Sequence, residues 1–122
     1  IGKLPDTLSE RAFIEKLKKA FQTPCIRHSR FNEKNINNVA VLGGSGAFAI
    51  SKARSAGADA YVTADLKYHD FFQAESDLLL ADIGHHESEQ FTKNLLYDHL
   101  REKFPNFAFV LAETNTNPVQ YT

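Results

Sequence analysis

The sequence predicts a layered α/β/α domain built on a mixed, mostly parallel sheet, with elements in the order α-β-(βα)3-β. Three observations carry this. Apolar runs of strand length recur at residues 39–42, 58–65 and 78–83, the pattern of strands covered on both faces. Each run leads into a segment with a helix-entry signal or helical spacing, and alternation of that kind builds parallel sheets. The chain has 122 residues with an ordinary apolar and charged content, enough for one domain with a real core.

In order, residues 1–7, with Gly2 and Pro5, read as a connecting segment. Asp6 or Thr7 can cap the helix that follows, in which Phe13, Ile14, Leu17 and Phe21 recur on one face and Glu15, Lys16, Lys18 and Lys19 cover the other. Pro24 marks its end. Residues 25–31 alternate as a short strand, placed at an edge by Arg27, His28 and Arg30, and residues 32–38 form a polar turn. The short link from the 25–31 strand to the 39–42 strand suggests one antiparallel pair. A small-residue helix over 47–56 is ended by Gly57. A long helix is expected over 86–104, closed by Pro105, and a last strand over 107–113. Asn115, Asn117 and Pro118 make a turn-rich ending whose amides line a cleft or satisfy backbone groups.

The bulk numbers exclude several function classes. A formal net charge of −1 shows no basic excess for a nucleic-acid backbone. No apolar run nears the ~20 residues of a membrane helix, and no signal-peptide pattern opens the chain. The lone Cys25 precludes an internal disulfide and agrees with a reducing, cytoplasmic setting. The chain lacks methionine and opens on Ile1, from which an excised part of a longer protein is expected.

Three predicted strand ends carry unusual chemistry, and in open α/β sheets ligands bind at the C-terminal strand ends. The first is the turn Gly43, Gly44, Ser45, Gly46. Its backbone N–H groups could cradle an anion at a helix start, or its glycines could serve only a tight turn; neither a P-loop nor a full dinucleotide fingerprint is present. The second runs from Asp65 to Asp70 and includes Lys67 and His69. His69 is a candidate general acid/base, because imidazole titrates nearest neutrality. The third begins at Gly84, where His85 and Glu89 stand i, i+4 on a nascent helix. Side chains so spaced lie on one face with Cβ atoms about 5–6 Å apart, so an imidazole and a carboxylate can converge on one cation. From spacing alone, the simpler reading is that His85 caps the turn while Glu89 pairs with a basic side chain, since this spacing on a helix is a weak pattern. Glu89 also shares a stripe with Leu96 and Leu100, which are expected to face the core.

Taken together, Val39-Ala-Val-Leu-Gly-Gly-Ser-Gly46, the run from Gly57 through Asp65-Leu-Lys-Tyr-His69, Asp82-Ile-Gly-His-His-Glu-Ser-Glu89 and the ending Glu113-Thr-Asn-Thr-Asn-Pro118 resemble the C-terminal half of the Nif-three-like proteins. These are dinuclear metal proteins that also carry the name GTP cyclohydrolase I type 2 homologue. The resemblance spans nearly the whole chain. It implies that His85 and Glu89 bind metal, two ions per site in a full-length protein, with the remaining ligands supplied by an N-terminal half. It implies that His69 lies near the metals. The ions could be zinc, iron or manganese, since a His/carboxylate set suits all three. Ala64 stands where a glycine is usual and His86 where a tyrosine is common, and neither departure removes a ligand.

A pair of metals suits assisted hydrolysis, so one expectation is a hydrolase acting on a nucleotide-like or other phosphate-bearing compound. The Gly43 to Gly46 turn, Asp65 and Lys67 would then be its contacts. The alternative is a non-enzymatic metal-binding, metal-trafficking or assembly module. The resemblance also implies a ring-like homo-oligomer for the full-length protein. The isolated chain is expected to be inactive and to hold metal weakly or not at all, because two ligands rarely retain a divalent ion tightly.

Overall fold

The computed structural model describes residues 1–122. A five-stranded sheet is ordered β1-β3-β4-β5-β2, where β1 is Gly2–Ser9, β2 Arg27–His28, β3 Asn35–Ser45, β4 Ala60–Ala64 and β5 Leu79–Asp82. The central β3, β4 and β5 are mutually parallel, and β1 and β2 close the two edges antiparallel. Alternation along the strands divides the core between the two faces. Ile36, Val39, Val62, Leu79 and Ala81 meet helix α1 (Glu10–Phe21) through Phe13, Ile14 and Leu17. Ala40, Tyr61, Leu78 and Leu80 meet Ile50 and Ala53 of helix α2 (Ile50–Ser55) on the other face. The layered α/β/α architecture with a mixed sheet is as the sequence predicts.

Several elements differ from expectation. Residues 1–7 are not a connector: β1 pairs with β3, through Gly2 opposite Val39 and Ser9 opposite Asn35. Ser9, not Asp6 or Thr7, caps α1 by accepting a hydrogen bond from the Ala12 N–H at 3.3 Å. Because β1 supplies a partner, β3 starts at Asn35, inside the expected polar turn. The 25–31 strand shrinks to β2, which lies at an edge but pairs with β5 and not with β3. The sheet therefore has two antiparallel pairs where one was expected. The 47–56 helix splits into a short 3-10 turn (Ala47–Ala49) and α2.

The predicted 86–104 helix is two helices, α3 (His85–Glu89) and α4 (Thr92–Lys103). At the break, the Gln90 side chain donates to the Phe21 carbonyl at 2.7 Å, which fastens the end of α3 to the end of α1. Helix α4 then departs from the body and buries none of its residues. Leu96 and Leu100 are 55 % and 37 % exposed, so the stripe expected to face the core faces outward. Residues 107–113 form no strand: they pair with neither edge strand of the sheet, and Val110 is 90 % exposed.

Candidate metal centre at three strand ends

Because β3, β4 and β5 run parallel, their C-terminal ends emerge on one side of the sheet. The three glycine- and acid-bearing segments are therefore neighbours. The β3/β4 register shifts between Val41 and Ser45, and Gly44 takes a left-handed φ of +67° within that irregularity. Thr63 Oγ1 donates to the Gly44 carbonyl at 3.1 Å and the Tyr61 hydroxyl to the Gly46 carbonyl at 2.9 Å, so buried side chains of β4 hold the turn.

Helix α3 starts immediately after β5, with Gly84 at φ +90° making the bend. Its one turn carries His85 and Glu89 on the same face. His85 Nε2 and Glu89 Oε2 are 3.4 Å apart, with both side chains 53 % exposed. On the opposite ring edge, His85 Nδ1 lies 2.6 Å from Asp65 Oδ2. The hydrogen bond to Asp65 is the main reason the His85 pKa is raised above the ordinary imidazole value; partial burial opposes it, while the charges of Asp65 and Glu89 add to it.

Two devices brace the arrangement. Ser88 Oγ accepts from the Gly44 N–H and donates to the His85 carbonyl, both at 2.8 Å, tying the β3 turn to α3. Asp82, buried at the end of β5, accepts from the Leu66 N–H at 2.9 Å and the Gly84 N–H at 3.1 Å, and pairs with Arg27. Arg27 Nη2 also donates to the Leu66 carbonyl at 2.6 Å. One acid thereby anchors the exits of both β4 and β5.

Beside the pair lies an open cleft of about 600 Å³, whose wall includes Cys25, Arg27, His86, Glu87, Asn117 and Tyr121. The ending 115–121 folds back to form part of that wall. Asn117 Nδ2 donates to Glu87 Oε1 at 3.2 Å, while its Oδ1 accepts from the Val119 N–H at 3.1 Å. The terminal amides therefore both line the cleft and satisfy backbone. Burial, followed by the neighbouring Glu87 charge, pushes the Tyr121 hydroxyl pKa up.

Of the sequence-predicted site residues, the structure brings Gly44, Asp65, His85 and Glu89 together. It does not bring His69 to the cleft wall: His69 sits on a 3-10 helix (Tyr68–Ala74), where its ring clusters with those of Tyr68 and Phe72. Lys67 precedes that helix, its N–H bound to Asp70 Oδ2 at 2.7 Å. The Gly44 N–H is engaged by Ser88 and the Gly46 N–H faces the Ala64 carbonyl at 3.5 Å. Asp82, Ser88, Glu87 and Arg27 were not singled out by sequence reasoning. The available signal was their position beside a strand end, since the contacts that tie the strands together are 16 and 55 residues away for Asp82 and 44 for Ser88.

The donor set fits a cation. In a tetrahedral shell with metal–ligand bonds of about 2.0–2.1 Å, two ligand atoms stand about 3.3–3.4 Å apart, the spacing of His85 Nε2 and Glu89 Oε2. A Cβ added to Gly44 would stand 2.7 Å from Glu89 Oε1 and 3.4 Å from His85 Nε2, so the glycine leaves room where the two groups converge. No group of three or more His, Cys, Asp or Glu side chains is placed to hold a metal ion.

The fold agrees with the comparison to known proteins. The chain belongs to the Duf34/NIF3 (NGG1p interacting factor 3) family, matched over residues 1–118. It is 36 % identical, over 99 % of its length, to a GTP cyclohydrolase 1 type 2 homolog of Staphylococcus epidermidis, of which it covers 34 %. Its fold matches the Staphylococcus aureus protein SA1388 with a TM-score of 0.84 at 27 % identity, covering 98 % of this chain and 40 % of that one. A Bacillus cereus protein related to NIF3 matches with a TM-score of 0.83 at 28 % identity, covering 99 % and 35 %. Against the Staphylococcus epidermidis relative, the chain spans about a third of the length. No helix is long and apolar enough to cross a membrane.

Proposed function

We infer that this NIF3-family chain is the C-terminal part of a dinuclear metal protein, in which His85 and Glu89 share one divalent ion, zinc, iron or manganese. The observation that carries the reading is the 3.4 Å spacing of Nε2 and Oε2 over a glycine that leaves the space between them free. The remaining ligands come from an N-terminal half. The exposed apolar face of α4, with Leu95 at 70 % and Leu96 at 55 % exposure, is where that half or another subunit of a homo-oligomer packs.

Both side chains are 53 % exposed, which leaves the ligands of the other half room to complete the shell. Metals bound there supply Lewis acidity and an activated water. The function best supported is therefore metal-dependent hydrolysis of a phosphate-bearing compound in a cytoplasmic protein. The chain's own residues hold and orient: Asp82 and Arg27 fix the strand exits, Ser88 fixes α3 against β3, and Lys67 is the candidate anion contact. No acid/base role is proposed for His69. The same ligands serving storage or trafficking is the alternative. Hydrolysis of nucleotides by the metal-loaded protein, with this chain joined to its N-terminal half, separates the two: activity is expected to collapse in Glu89→Ala, and activity unchanged by that substitution counts against the enzyme reading.

A further inference from the structure

We propose that Asp65 is the positioning residue of the metal centre, its carboxylate holding the Nδ1 proton of His85 so that Nε2, the nitrogen facing Glu89, is the one offered to the cation. The proposal rests on the reading of His85 and Glu89 as a ligand pair and adds what decides which imidazole nitrogen binds.

His85 stands between two carboxylates, and a neutral imidazole has one proton to give them. The Nδ1 to Asp65 Oδ2 distance of 2.6 Å lies at the short end for a charge-assisted hydrogen bond. The Nε2 to Glu89 Oε2 distance of 3.4 Å is beyond the usual N–H···O range. The proton therefore belongs to Nδ1, and the Nε2 lone pair points toward Glu89. A carboxylate behind a ligating histidine fixes its tautomer and ring orientation and raises its basicity.

The placement of Asp65 is built in advance of any ion. It is the first residue past β4 and adopts φ +57°, a left-handed conformation that Asp tolerates better than most side chains. The next residue, Leu66, is held at both backbone groups, its N–H by Asp82 and its carbonyl by Arg27. Asp82 also holds Gly84, the residue before His85. Both members of the Asp65–His85 pair thus hang from one buried acid, and the contact does not have to organise itself. With the two side chains 47 % and 53 % exposed, an ion pair of this kind adds little stability; what it supplies is orientation.

The test is long-range ¹H–¹⁵N correlation NMR on the metal-free 122-residue chain, at a pH above the His85 titration. The wild-type chain is expected to show His85 as the Nδ1–H tautomer. In Asp65→Ala the proton is expected on Nε2, drawn to Glu89; Asp65→Asn, which keeps an acceptor oxygen, is expected to restore part of the original tautomer. An Nε2–H tautomer in the wild-type chain overturns the proposal, as does an unchanged tautomer in a folded Asp65→Ala. If that variant does not fold, the wild-type tautomer alone decides. Zinc titration supplies a second readout, with affinity expected to fall on the order of 10–100-fold in Asp65→Asn; equal affinities also overturn it. In the chain joined to its N-terminal half, an Nδ1–H tautomer with no zinc response at His85 refutes the ligand pair while leaving the role of Asp65 on the tautomer intact.

Discussion

Gly44→Ala separates the cost of the backbone from the cost to the site, because the chain holds its own control. Gly44 and Gly57 both sit at left-handed φ, +67° and +77°, but a Cβ at Gly57 meets nothing within 4 Å whereas one at Gly44 stands 2.7 Å from Glu89 Oε1. Forcing alanine into that conformation costs about 1–2 kcal/mol in either variant, a drop of several degrees in Tm by the usual scaling of about 2–8 °C per kcal/mol. Glu89 is half exposed and can swing into solvent, so the extra contact in Gly44→Ala adds little further instability. It does remove the carboxylate from His85. The two variants are therefore expected to melt within about 1 kcal/mol of each other, while only Gly44→Ala abolishes binding at the pair. Weak binding is read by NMR as Mn²⁺-induced broadening of the His85 and Glu89 resonances, present in wild type and Gly57→Ala and absent in Gly44→Ala. Equal broadening in both variants refutes the claim that Gly44 makes room for converging ligands.

Asp82→Ala strips a buried acceptor from Arg27, Leu66 and Gly84 and is expected to cost about 1–3 kcal/mol for each N–H left without a partner in urea unfolding, far more than Glu89→Ala. Because the His85 pKa is raised by Asp65, the stability contributed by charged His85 is fully present below the unfolded value of about 6.5. It is lost as pH rises through the higher folded value, and thermal melts across that window should show a small decline that Asp65→Ala removes. Metal uptake runs the opposite way: it must displace the proton, so Mn²⁺ broadening should strengthen as pH rises through the same window. Leu96→Glu, on the exposed face of α4, is expected to leave the stability of this chain within about 0.5 kcal/mol and to impair association of a longer protein, as sized by light scattering.

The site was more legible in the sequence than the edges of the sheet. Residues 78–83 announce β5 by apolar continuity, Gly84 marks the bend, and the i, i+4 spacing of His85 and Glu89 needs only one helical turn to be realised. These are local signals. Strand β1 carries none, since a polar segment with Pro5 becomes a strand only because β3 offers it an edge. The break between α3 and α4 depends on Gln90 reaching Phe21, 69 residues away, and no periodicity could reveal it. Asp65 was read as a substrate contact because its partner, His85, lies 20 residues on; the topology that joins parallel strand ends supplies the connection. The 107–113 segment has strand composition but pairs with neither edge strand of the sheet, so its pattern predicted an element that this chain does not form.

The central claim is that His85 and Glu89 share one cation. Crystals of the chain joined to its N-terminal half, soaked in Mn²⁺ or Zn²⁺ and measured at the metal edge, test it most directly. An anomalous peak about 2.0–2.3 Å from both His85 Nε2 and Glu89 Oε2 is the predicted result. A peak confined to Asp82 or Glu87, or none at the pair in crystals where the metal is otherwise bound, contradicts it.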